Sequence, residues 1–109
     1  MFGYPIAPEV PPNVTAGPLT TTSINVSWSE IPCDRRGGKI IKYFIEIHNS
    51  SGMIREKEVS GNDYSYEVTG LEVYSNYSAR VLAATGAGNG SFSDFNSTTT
   101  HQPGMTKFT

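Results

Sequence analysis

With 109 residues, of which 17% are charged, and a formal charge of −2, the chain is long enough for one continuous core and too short for two. Its charges are scattered, so no block of like charge offers nucleic acid or an anionic membrane a surface. Helix formers are scarce beside Ser, Thr, Val, Ile, Tyr, Gly and Pro, which argues against a helical fold and for short strands joined by tight turns.

Residues 1–9 hold Pro5 and Pro8 without sustained alternation and read as a linker or expression remnant, 10–100 as one folded domain, and 101–109 as a C-terminal linker or tail. Met1-Phe2-Gly3-Tyr4-Pro5 lacks the basic-then-apolar order of a secretion signal, and no apolar run approaches the ~20 residues needed to cross a bilayer. The chain therefore reads as a piece of a longer one, with no direct membrane insertion by this segment.

Pro11-Pro12 sets an extended entry, and Asn13 to Leu19 is predicted as a short edge strand ended by Gly17-Pro18, a pair tolerated at sheet edges. Ser23-Ile24-Asn25-Val26-Ser27-Trp28 alternates strictly, which puts Ile24, Val26 and Trp28 on one face and Asn25 and Ser27 on the other. Ile31 to Gly38 breaks the pattern with proline, charge and a glycine pair and reads as a loop. From Lys39 to His48, Ile41, Tyr43, Ile45 and Ile47 are predicted inward and Lys42, Phe44, Glu46 and His48 outward. Phe44 is the odd outward residue, either covering its own sheet or belonging to a contact surface.

Asn49-Ser50-Ser51-Gly52 is a turn by composition, and Met53 to Val59 is a polar strand whose Arg55, Glu56, Lys57 and Glu58 suit a sheet edge. After Gly61-Asn62-Asp63, the segment Tyr64 to Thr69 alternates, with Tyr64, Tyr66 and Val68 on one face, and Gly70 ends it. Tyr77 to Ala84 places Tyr77, Ala79, Val81 and Ala83 inward and leaves Arg80 facing solvent. Gly86 to Gly90 signals a hairpin, since its Asn-Gly step accepts the positive φ angles of a tight turn, and Ser91 to Thr100 is predicted as the seventh strand.

The lone Cys33 cannot form an internal disulfide, and beside Asp34 and Arg35 it reads as an unpaired thiol or one that pairs with another chain. Six of the asparagines sit in Asn-x-Ser/Thr: Asn13, Asn25, Asn49, Asn76, Asn89 and Asn96. That is more than a Ser/Thr-rich chain makes by accident, and it marks candidate N-glycosylation sites and an extracellular location.

Seven short strands, with a buried tryptophan on the second and a tyrosine opening the sixth, predict an all-β, immunoglobulin-like, seven-stranded Greek-key sandwich of two sheets. Residues from about Pro11 to Thr99 resemble a fibronectin type III repeat through Pro12-Asn13-Val14, Ile24-Asn25-Val26-Ser27-Trp28, Gly38-Lys39-Ile40-Ile41-Lys42-Tyr43-Phe44-Ile45, Leu71 with Tyr77, and Gly88-Asn89-Gly90. The resemblance implies a core holding Ile24, Val26, Trp28, Tyr43, Ile45, Leu71, Tyr77 and Val81, and a tyrosine corner in which the Tyr77 hydroxyl bonds nearby backbone. It further implies that the loops after Trp28, Val59 and Thr85 gather at one end, where Arg35, Arg36, Asn89 and Phe92 are candidate contact residues. Val73 stands where the family usually has proline, which would leave that crossing less rigid.

No Arg-Gly-Asp follows Gly86 and no Trp-Ser-x-Trp-Ser is present, so integrin binding through the former motif is excluded. Phe92-Ser93-Asp94-Phe95 is similar to a weakened cytokine-receptor signature, in which aromatics sandwich an outward arginine such as Arg80. His48 and His101, the two histidines, fall on an outward strand position and in a tail and read as solvated, so no catalytic site, metal or cofactor is expected.

The resemblance implies a non-catalytic module of an adhesion or receptor ectodomain, such as those of receptor-type tyrosine phosphatases and cell-adhesion receptors, on a membrane-anchored chain at the cell surface. A parent chain could carry a separate catalytic domain such as a tyrosine phosphatase. The partner would be another protein or neighbouring domains of the same chain, with no nucleic acid. Three alternatives stand beside it: an intracellular repeat of a giant muscle-type protein, an accessory module of a secreted carbohydrate-active enzyme, and a cytokine-receptor-like ligand-binding domain.

Overall fold

The computed structural model describes residues 10–32 and 37–102. Among the described residues eight strands run in chain order: β1 (Val14–Thr20), β2 (Ser23–Trp28), β3 (Lys42–Asn49), β4 (Gly52–Ser60), β5 (Ser65–Val68), β6 (Asn76–Thr85), β7 (Gly88–Asn89) and β8 (Asn96–Thr99). β1, β2 and β5 form one antiparallel sheet in that order; the second has the order β4-β3-β6, with both β7 and β8 on the far side of β6.

The sheets face each other because alternation on β2, β3 and β6 presents an apolar stripe from each, and these stripes are better buried against one another than wetted. Ile24, Val26 and Trp28 of β2 meet Tyr43, Ile45 and Ile47 of β3 and Tyr77, Ala79, Val81 and Ala83 of β6 in one cluster, closed by Val68 and Leu71. All eight residues named as core from sequence lie there, none more than 7% exposed. The rings of Trp28 and Tyr43 approach to 5.3 Å between centroids, and Tyr43 lies 6.0 Å from Tyr64, so an aromatic row plugs the end of the sandwich where β1 begins.

Three features depart from the alternation argument. Ile41, expected inward, is 47% exposed. Its backbone is still engaged, donating to Ala84 and accepting from Gly61, yet it lies before the first β3 residue, outside the regular alternation of that strand. The hairpin turns on Gly86-Ala87 rather than on Asn89-Gly90: Thr85 pairs with Gly88 and Ala84 with Asn89, so Asn89 is a strand residue and Gly88 takes the positive φ, 146°. The predicted seventh strand is also interrupted. Between β7 and β8 the segment 90–95 keeps only a sparse ladder, with Gly90 and Ser93 donating to the carbonyls of Ala83 and Val81. The Ser93 hydroxyl fills one gap by accepting from the Val81 N–H at 3.1 Å.

The tyrosine corner is present: the buried Tyr77 hydroxyl accepts the Glu72 N–H at 2.9 Å. Thr100 seals the same corner. It is 1% exposed, accepts from the Ser75 N–H at 2.9 Å and donates to the Glu72 carbonyl at 2.8 Å. At the residue where the family's proline is replaced, Val73 is 46% exposed, and the next residue, Tyr74, carries φ 45° and is 60% exposed. A non-glycine residue in the left-handed region costs on the order of 1 kcal/mol, and the Ser75 and Thr100 hydrogen bonds hold it there.

Candidate functional site

The side chains that point away from the core on the five-stranded sheet form a ladder that the outward positions alone did not reveal. On β3 they are Lys42, Phe44, Glu46 and His48; the register sets Phe44 opposite Leu82, Glu46 opposite Arg80 and His48 opposite Ser78 on β6. Arg80 is therefore not a solvated arginine. Its guanidinium lies 4.2 Å from the Phe92 ring centroid and 4.8 Å from that of Phe95, and its Nη2 and Nε reach Glu46 Oε1 at 2.8 and 2.9 Å.

The interruption between β7 and β8 makes this arrangement possible. In a regular strand residues three apart would face opposite ways, whereas here both Phe92 and Phe95 reach one guanidinium while the intervening Ser93 is buried against Val81. The cation thus lies over two electron-rich rings and bonds a carboxylate through two of its nitrogens.

His48 completes the cluster. Its Nε2 is 3.0 Å from Glu46 Oε1 and its ring meets Phe95 edge-on at 4.7 Å between centroids, so it is packed rather than solvated. The Glu46 side chain is only 13% exposed. Burial by itself would raise its pKa; the hydrogen bonds from His48 and Arg80 and the charge of Arg80 outweigh that and hold it below the usual carboxylate value. At the upper end of the ladder Lys42 stands 5.1 Å from the Phe44 ring centroid and 3.8 Å from Glu58.

The other candidate residues are dispersed. Phe92 lies on the sheet face against Arg80, Asn89 is exposed on β7, and Arg35, Arg36 and Cys33 fall outside the described residues. Among the glycosylation candidates, Asn13, Asn76 and Asn89 are exposed, and Asn25, Asn49 and Asn96 are half-buried. Asn96 does structural duty: its Oδ1 accepts the Ala16 N–H at 2.7 Å and so ties β8 to β1 across the open side of the sandwich. Asn49 Oδ1 accepts from Ser51 in the β3–β4 turn. Asn25 projects from the central strand β2, but its neighbour across the sheet is Gly17, where an added Cβ would meet nothing within 4 Å, so space is open beside it.

Among the described residues no group of three His, Cys, Asp or Glu side chains converges to hold a metal, and no helix is long and apolar enough to cross a membrane. A polar groove of about 520 Å³ runs beneath the ladder, lined by His48, Asn49, Glu72, Ser75 and Asn76 among others.

Two antiparallel sheets with a tryptophan core, a tyrosine corner and loops gathered at the ends define an immunoglobulin-like sandwich. Within that class the chain belongs to the fibronectin type III domain family, whose pattern it matches over residues 7–99. It is 39% identical over 88 residues to the human cell adhesion molecule DSCAM, an alignment spanning 76% of this chain and 4% of that protein. It is 33% identical over 97 residues to mouse contactin-3, spanning 85% of this chain and 9% of that protein. The chain thus spans less than a tenth of these relatives. Among solved structures, the crystal structure of chicken CNTN1 FN1–FN3 domains superposes with a TM-score of 0.74 at 24% identity, over 88% of this chain and 33% of that one. The third fibronectin III domain of human KIAA0343 gives 0.77 at 21% identity, over 99% and 95%.

Proposed function

We propose that the chain is an extracellular module of an adhesion or receptor ectodomain that spaces neighbouring domains and makes protein contacts, with no chemistry of its own. The observation that carries this reading is the placement of the two ends. β1 starts at Val14 opposite Trp28, while the chain leaves β8 at the other end, where Thr100 and His101 donate to the carbonyls of Ser75 and Thr20. Entry and exit at opposite ends suit a link in a string of modules. The similarity to repeats of cell adhesion molecules and the six Asn-x-Ser/Thr triplets agree with it.

Under this reading the folded unit comprises residues 10–100, flanked by linkers at 1–9 and 101–109, and the parent chain is membrane-anchored at the cell surface. N-glycans would be carried by some of Asn13, Asn25, Asn49, Asn76, Asn89 and Asn96. The deciding experiment is secretion from eukaryotic cells behind a signal peptide, with the mass measured before and after enzymatic removal of N-glycans. A mass loss is expected. An unchanged mass would overturn the extracellular assignment and favour an intracellular repeat.

A further inference from the structure

The two outer faces of the sandwich differ in chemistry. That of the three-stranded sheet carries small and polar residues, among them Thr15, Gly17, Asn25, Ser27 and Ser65 by the strand register. That of the five-stranded sheet carries three phenylalanines. One of them, Phe95, is 47% exposed even though Arg80 stacks on it and His48 meets it edge-on.

Resting on the reading of the chain as a protein-contact module, we propose that this face is its contact surface, anchored by Phe95, for a protein partner that presents an apolar recess rimmed by lysine or arginine. A stacked cation and an edge-on histidine fix the ring before any partner arrives, so little side-chain freedom remains to be lost on docking. Aromatic side chains, phenylalanine among them, are enriched at the core of protein interfaces. Phe44, half-buried on the same face beside Leu82, extends the apolar area toward Lys42.

Charge selects the partner's rim. The register puts Glu56 and Glu58 of β4 beside Glu46 and Phe44, and both are exposed, as is Asp94 next to Phe95. Four carboxylates (Glu46, Glu56, Glu58 and Asp94) stand against two cations (Lys42 and Arg80), a formal −2 that equals the charge of the whole chain. Glu46 is already matched by Arg80 and Glu58 lies 3.8 Å from Lys42 at the exposed edge, which leaves Glu56 and Asp94 to carry the excess negative charge on the rim. Such a rim steers cationic surfaces and repels acidic ones.

The test is a titration of the ¹⁵N-labelled protein, followed by amide NMR, with two synthetic peptides of alternating sequence, lysine–leucine and glutamate–leucine. The lysine–leucine peptide is expected to shift the amides of Glu56, Glu58, Asp94 and Phe95, with an affinity that falls several-fold as salt is raised. Phe95→Ala should weaken binding several-fold. The double variant Glu56→Gln/Glu58→Gln, which touches neither the core nor the stack, should weaken it while leaving the rest of the spectrum unchanged. Absence of shifts, shifts confined to the loop ends, or equal shifts from both peptides would overturn the proposal. Shifts of the same amides on raising protein concentration alone would make a second copy the occupant and also overturn it. Because the readout is independent of glycosylation, its failure leaves the secretion result standing, and the reverse.

Discussion

At the scale of single residues, Glu46 is the carboxylate that Arg80 and His48 share on the outer face, and its titration has a defined sign. Its carboxyl is held below its ordinary value when folded, so the stability it contributes is fully present above the unfolded-state value, ~4.3, and is lost as pH falls through the lower folded-state value. Glu46→Gln should therefore cost about 1–2 kcal/mol at pH 7, where Arg80 loses a charged acceptor, and the gap to the natural sequence should narrow in urea unfolding as pH falls below the ordinary carboxylate range. A gap that stayed constant with pH would mean that packing, not charge, sets the effect. Tyr77→Phe removes the acceptor of the Glu72 N–H and should cost about 1 kcal/mol with no change of fold, read from the same unfolding curves. Gly61 offers a third comparison. A Cβ there would lie 2.2 Å from the Ile40 carbonyl oxygen, whereas at Gly86 it would meet nothing within 4 Å. Gly61→Ala is expected to lower stability by about 1–3 kcal/mol and Gly86→Ala to change it little, compared as thermal midpoints.

Among the strands, β4 shows what alternation of charge does at an edge. Among the described residues it pairs only with β3, leaving its other side open. Arg55 and Lys57 share one face and Glu56 and Glu58 the other. Antiparallel pairing with a second copy keeps each face with itself, so the registers centred on Glu56 or Lys57 set like charges opposite one another, which is destabilising. The cations also bridge the sheets: Arg55 donates to the Thr69 carbonyl at 2.6 Å and Lys57 lies 6.0 Å from the Tyr66 ring centroid. Replacing Glu56, Lys57 and Glu58 together by threonine should produce concentration-dependent association in sedimentation velocity that the natural sequence lacks. The charged character of this strand was legible in sequence because period-two alternation needs no knowledge of the rest of the chain. The interruption between β7 and β8 was not. Ser91 to Phe95 has nothing in its own pattern that forbids a strand, and its course is decided by Ser93 bonding to Val81 and by two rings closing on Arg80.

For the whole molecule, Thr100 and His101 decide where the folded unit stops. The family pattern ends at residue 99, yet Thr100 is 1% exposed and bonds to both sides of the β5–β6 crossing, and the His101 N–H donates to Thr20. A chain ended at Thr99 should be less stable by at least about 2 kcal/mol than one ended at Gln102, since it leaves the Glu72 carbonyl and the Ser75 N–H without their partner; chemical denaturation of the two would show it.

Alternation along β2, β3 and β6 was enough to determine the all-β class and the inward residues of those strands, because burial of one strand face is a local property with a period of two, while the tyrosine corner was legible only through the family resemblance carried by Leu71 and Tyr77. The hydrophobic core needs only that apolar residues face inward. The surface ladder needs partners brought together from distant parts of the chain: Glu46 and His48 from β3, Arg80 from β6, and Phe92 and Phe95 from an irregular segment. Sequence suggested that aromatics could sandwich Arg80; the tertiary structure brought Phe92 and Phe95 to its guanidinium and Glu46 and His48 into the same cluster, and turned an arginine expected in solvent into the centre of the outer face. The reason is that a cation meeting two rings depends on register and on a break in one strand, and neither is set by residues near it in sequence.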